Sequence, residues 1–196
     1  MRLHARLLAL AVAGLVLGSY AAAGRADDKE DVAKAKDLVV KYASARENGD
    51  AAAAKKALDD LKKLDLEAVM HVFKPLEKGK GGVGFMPGAA APNGIEAKII
   101  GTKKELSKAQ LDKEGKAWLR AAYIAEAVAQ VTLPKCPVQK KMGDKDPKEW
   151  KQWAEEMKKS SDDLVKAIKA KDGKAATASI KSLNKACSDC HGPFRE

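Results

Sequence analysis

Aromatic residues are scarce in this chain, at 5% of 196 residues. No stretch alternates apolar and polar side chains with the period of two that a half-buried strand needs. No internal repeat is evident. Beyond the N-terminus no apolar run approaches the roughly 20 residues of a spanning helix, so the mature chain is expected to be soluble. The basic residues form no stripe interleaved with aromatics, which argues against nucleic-acid binding. The formal charge is +10, from 37 basic and 27 acidic residues that are interspersed rather than blocked. Such a pattern reads first as a solvated helical surface, and second as a basic docking face for an acidic redox partner.

Cysteine is also sparse, with three in the chain. Their meaning depends on the compartment, and the N-terminus speaks to that. Arg2 and Arg6 are followed by Leu7 to Leu17, almost entirely Leu, Ala, Val and Gly, and then by Ala21-Ala22-Ala23. This is the three-part pattern of a secretory signal peptide, cut after Ala23 or Ala26. The apolar core is about 11 to 14 residues long, short for a membrane anchor, which is the alternative reading. Residues 1–26 are therefore expected to be a signal peptide that directs the chain to the periplasm, and 27–196 a single domain. In an exported chain, Cys136 stands apart as an odd thiol, open to an intermolecular bridge or to inert burial.

What remains is rich in Ala, Lys, Leu, Asp and Glu, and the apolar residues step by three and four. Val32, Ala35, Val39 and Tyr42 predict a helix over about 29–47. Asn48-Gly49-Asp50 stops it and starts another carrying Ala54, Leu58, Leu61 and Leu64. Leu66, Val69, Met70 and Phe73 extend the pattern to Pro75, either as one helix or as two broken near Asp65. From 77 to about 101 glycine and proline accumulate, giving a long Gly-rich loop, densest over 78–94, of a kind that usually carries function or moves. Its Lys80-to-Gly84 run lacks both a preceding strand and the Gly-Lys-Ser/Thr ending of a phosphate loop.

Helical pattern returns from Leu111 through Trp118, Ala122, Ala125 and Ala129 to Pro134. After a loop with Cys136, Pro137 and Gly143, Asp146-Pro147 forms a good helix start. Trp150, Trp153, Met157, Leu164 and Ile168 then line one face. Asp172-Gly173 separates the last helix, where Ala176, Ile180, Leu183, Cys187, Cys190 and Phe194 make one stripe. The predicted fold is all-α, an antiparallel four-helix bundle with an extra N-terminal helical segment and the Gly-rich loop.

Cys187-Ser-Asp-Cys190-His191 is the Cys-x-x-Cys-His sequence of c-type haem attachment. On a helix these three residues share a face, so two thiols can hold the haem vinyl groups while the imidazole reaches the iron. Three other readings compete. A thiol-disulfide site favours a helix N-terminus, whose dipole lowers the thiol pKa, whereas this pair lies near a helix end. A zinc site needs a fourth ligand, available only from Cys136 or His71. A disulfide between i and i+3 of one helix is geometrically awkward. One covalent haem c is the expectation.

The last fifty residues resemble class II c-type cytochromes, the cytochrome c prime group and its low-spin relatives. The likeness rests on Trp150-Lys-Gln-Trp153, Ser161-Asp-Asp-Leu164, Lys166-Ala167, Lys171-Asp172, Leu183, the haem sequence and Phe194-Arg195. It is good over about 110–196 and loose before. It implies a four-helix bundle in which Cys187 and Cys190 hold the haem, His191 is the proximal ligand and Arg195 lies near the haem edge. In that family the distal residue comes from the first bundle helix, and is either an apolar side chain or a Met. Met70, in Glu67-Ala-Val-Met70-His71-Val-Phe73, resembles the distal Met segment; the alternative is that it fills the core. His71 is a second distal candidate, otherwise a surface or core histidine.

With Met as distal ligand the chain would be a low-spin electron carrier in a periplasmic redox chain, served by redox partner proteins. With neither residue bound, a five-coordinate iron would bind or sense a small gas such as NO or CO. An enzyme is not expected, since no distal acid/base pair is visible. Family members often dimerise, so the resemblance leaves a homodimer open.

Overall fold

The computed structural model describes residues 24–76 and 81–195, with side chains from residue 29 onward. The signal peptide expected over 1–26 falls, through residue 23, outside the described residues. Seven α-helices follow in order: α1 (Gly24–Asn48), α2 (Ala51–Leu61), α3 (Leu66–Met70), α4 (Ile95–Gly101), α5 (Lys108–Thr132), α6 (Pro147–Lys169) and α7 (Gly173–Phe194). A 3-10 turn, His71–Phe73, continues α3. Among the described residues there is no strand, only one isolated bridge between Met142 and Lys145. The chain is all-helical, as its composition predicts. Among the described residues no helix is long and apolar enough to cross a membrane.

Local chemistry sets the boundaries. Helix starts leave backbone N–H groups without partners, and a side-chain oxygen at the cap answers them. Asp50, Asp65, Asp146 and Asp172 each accept such a bond at the starts of α2, α3, α6 and α7. The Asp65 cap decides the question left open over 50–76, splitting it into α2 and α3. At α5, Ser107 and Gln110 form a reciprocal capping box, which starts that helix slightly ahead of the predicted Leu111.

The long helices meet in a defined sense. At the start of α6, Trp150 donates from Nε1 to the Thr132 carbonyl at the end of α5, at 2.9 Å. Its ring also meets Phe194 at the end of α7, centroids 4.9 Å apart. α6 packs extensively on both neighbours and so runs antiparallel to each. α1 packs on α2 and on α5. The core between them includes Val39, Trp118, Ile124, Leu164, Ile180 and Leu183, each at most 1% exposed. Each large aliphatic side chain buried this way contributes about 1.5–3 kcal/mol. At the far end, Gly173 opens α7 where a Cβ would stand only 1.8 Å from the Leu106 carbonyl oxygen. Leu106 also donates its N–H to Thr177 Oγ1 at 2.9 Å.

The expected loop over 77–101 differs in two respects. Its last turns are helix α4, built on the i, i+4 pair Ile95 and Ile99, buried to 1% and 7%. Glycine and proline upstream masked that short apolar step. The described remainder, 81–94, has no regular structure, yet it is pinned to the helices. Gly82 N–H bonds the Pro75 carbonyl and Val83 N–H the Val72 carbonyl, each at 3.0 Å. A Cβ on Gly82 would come within 2.2 Å of the Lys74 carbonyl oxygen. Asn93 receives the Phe85 N–H at 2.7 Å and donates to the Met86 carbonyl at 2.9 Å. Phe85 is thereby held against Trp118, ring centroids 4.8 Å apart. Here glycine serves close approach of backbone to backbone.

Candidate functional site

α7 begins at the Asp172 cap and carries its apolar stripe into the body of the molecule. Ala176, Ile180 and Leu183 are at most 1% exposed, and Cys190 is at 9%. Cys187 and His191 are half-buried on the same helix. Steps of three and four residues turn about one full helical revolution, so the two thiols and the imidazole project from one side.

The electrostatics bear on the competing chemistries. All three cysteines are free of disulfides. Burial pushes the Cys187 thiol up to about 12 and the Cys190 thiol up to about 11. Both are neutral thiols at physiological pH, whereas thiol-disulfide exchange needs a thiolate. Among the described residues, no group of three or more His, Cys, Asp or Glu could hold a metal ion. The zinc reading thus gains no support. For His191, burial first, and the Arg195 charge second, lower the pKa, favouring the neutral imidazole that binds iron.

Several neighbours were not legible in the sequence. α4 packs against α7, and the charge of its half-buried Glu96 is felt at both Cys187 and His191. Cys136, half-buried in the loop after α5, lies near enough to influence Cys190. Phe194 sits between Trp150 and Trp153, edge to face, with centroids at 4.9 and 6.2 Å. Those rings brace the end of α7 just past the motif. Arg195 is exposed and caps the helix, its N–H donating to the His191 carbonyl at 3.2 Å.

These features suit haem c. Two unbridged thiols and a neutral imidazole share one side of a braced helix, and the space beside Gly192 is open, with nothing within 4 Å of where a Cβ would stand. Cys187, Cys190, His191 and Arg195 thus come together. Met70 ends α3 and packs, half-buried, against the core. His71 follows in the 3-10 turn, half-buried as well. The main packing partners of α3 are α1 and α5, whereas those of α7 are α6 and α4.

Residues 143–195 match the family model described as Cytochrome C'. No curated protein and no solved structure matches the chain. The matched segment holds α6, α7 and the whole haem sequence, and this match supports a likeness to class II c-type cytochromes of the cytochrome c prime kind over that part of the chain.

Proposed function

We propose that this chain is a periplasmic one-electron carrier with a single haem c joined covalently through Cys187 and Cys190 and ligated by His191. The observation that carries the reading is the disposition of those three groups: one side of α7, thiols unbridged and protonated, imidazole neutral. The bound haem would supply the Fe(III)/Fe(II) couple. The chain's own work is to hold it, to exclude water with the α6–α7 aromatic brace and α4, and to present an edge near Arg195 to redox partners. The four long helices α1, α5, α6 and α7 are the bundle that carries it, the chain acts without bond chemistry of its own, and Met70 is the favoured distal ligand.

Optical spectra of both oxidation states, with and without carbon monoxide, test this. Low-spin bands that carbon monoxide leaves in place support the carrier; a high-spin ferrous spectrum that shifts supports the gas-binding alternative. One observation favours that alternative: α3, which ends at Met70, packs chiefly on α1 and α5 rather than on α7. Replacing Met70 by Ala is expected to convert a low-spin spectrum to high spin. An unchanged spectrum removes Met70 as ligand and turns attention to His71.

A further inference from the structure

We propose that the aromatic cluster at the end of α7 is the electron port of this protein: Trp153, at the surface, passes electrons through Phe194 to the haem site. The inference rests on the reading above, that Cys187, Cys190 and His191 hold a haem.

Aromatic side chains are few, three each of Trp, Tyr and Phe, and three of them meet here. Phe194 lies four residues past Cys190 and three past His191 on the same helix. It therefore stands on the motif side of α7, one turn further on. Its ring meets Trp150 at 4.9 Å and Trp153 at 6.2 Å, both edge to face.

The two indoles differ in their surroundings. Trp150 is 5% exposed and donates to the Thr132 carbonyl at 2.9 Å, which already ties α6 to the ends of α5 and α7. Trp153 is half-buried, one turn along α6, and reaches solvent. The polar side chains beside it are satisfied along the helix itself: Lys151 pairs with Glu155 at 3.7 Å, and Gln152 donates to Glu156 at 2.8 Å. They leave the indole as the group that a docking protein would meet, a setting in which Trp is enriched because one end packs and the other stays wet.

Electron tunnelling weakens steeply with each gap it must cross. Rings in edge contact leave small gaps between their π-systems, so Trp153 and Phe194 give a short path from the surface to the turn that carries the motif. One electron would pass from a reduced donor to Fe(III), giving Fe(II). The rings serve as the medium, neither oxidised nor reduced, and no proton moves.

The test uses the haem-loaded full chain with Cys136→Ser, so that an introduced thiol alone takes a ruthenium polypyridyl photoreductant. The label goes on Glu149→Cys, exposed one turn before Trp153, or on Lys181→Cys, exposed on α7 ahead of the motif. Transient absorption follows haem reduction after a flash, and the reduction potential and thermal unfolding are read on the same proteins. Trp153→Leu is expected to slow reduction from position 149 several-fold and to leave that from position 181 unchanged. Trp153→Phe should keep most of the rate from position 149. Equal rates from position 149 with and without Trp153→Leu overturn the proposal. So does an equal slowing from both labels, because that follows a changed potential or fold and not a lost path. Wild-type protein that acquires no covalent haem refutes the functional reading and this inference together, whereas loaded protein with unmoved rates refutes the inference alone.

Discussion

Between α1 and α5 lies a buried acid paired with Arg46. Glu126 is 3% exposed, and its Oε2 lies 3.3 Å from the guanidinium, although that oxygen accepts no hydrogen bond. The same guanidinium covers the rings of Tyr42 and Tyr123 at 6.0 and 5.4 Å, and Gln130 donates to the Tyr42 hydroxyl at 3.0 Å. Burial raises the Glu126 pKa; Arg46 pulls it back and Asp162 pushes it further up. Arg46→Met keeps the aliphatic stem and removes the charge. Stripping one partner from a fully buried pair costs about 3–5 kcal/mol. The Arg46 side chain is 40% exposed, so water already screens the pair, and we expect about 2 kcal/mol at pH 7. The pH dependence has a definite sign. A carboxyl whose folded pKa is raised binds more protons folded than unfolded, so it lowers stability as pH climbs from the unfolded value through the folded one. Losing Arg46 raises the folded pKa again, so the penalty is largest at neutral pH and shrinks below the unfolded value, near about pH 4. Urea unfolding of wild type and variant at both pH values measures this. A difference that is the same at pH 4 and pH 7 would refute the electrostatic account and leave lost packing over Tyr42 and Tyr123 as the cause. Adding Glu126→Gln to the variant should return most of the loss.

Other substitutions follow from single contacts. Trp150→Phe removes the bond to the Thr132 carbonyl, but that oxygen also accepts from Lys135 N–H at 3.0 Å. The expected loss is therefore about 1–2 kcal/mol by thermal unfolding, and a value near zero would mean that the indole bond adds nothing. Gly173→Ala must move either α7 or Leu106, since the added carbon meets the Leu106 oxygen at 1.8 Å; we expect about 3 kcal/mol or more of destabilisation, read in the same assay. Gly115→Ala is the counterpart inside α5, where the new methyl would rest 3.7 Å from Ile168 Cγ2. It should stabilise by about 0.5–1 kcal/mol, and a lower melting temperature would contradict the space described.

Much of this molecule is written in short-range pattern. The steps of three and four in Val32 to Tyr42 and in Ala176 to Phe194 place α1 and α7, because one helical face must be apolar to pack. Asp146-Pro147 and Asp172-Gly173 mark helix starts, because caps act within a turn. The haem sequence is legible for the same reason, since its three groups need only one helix to share a side. α4 escaped this kind of reading: Ile95 and Ile99 supply one buried step, too little periodicity to stand out among glycine and proline. The tightness of 81–94 against Val72 to Pro75 escaped it as well, because close backbone approach leaves only the word glycine in a sequence.

By itself, then, the sequence determined that the chain is helical, where its long helices begin, and that Cys187, Cys190 and His191 form one constellation. Only the tertiary structure decided that α4 would pack on the helix that carries it, that Cys136 would come near Cys190, and that Trp150 and Trp153 would flank Phe194. Residues within a turn are related by the geometry of one helix. Residues 44 positions apart, as Trp150 and Phe194 are, meet only because α6 and α7 pack on each other.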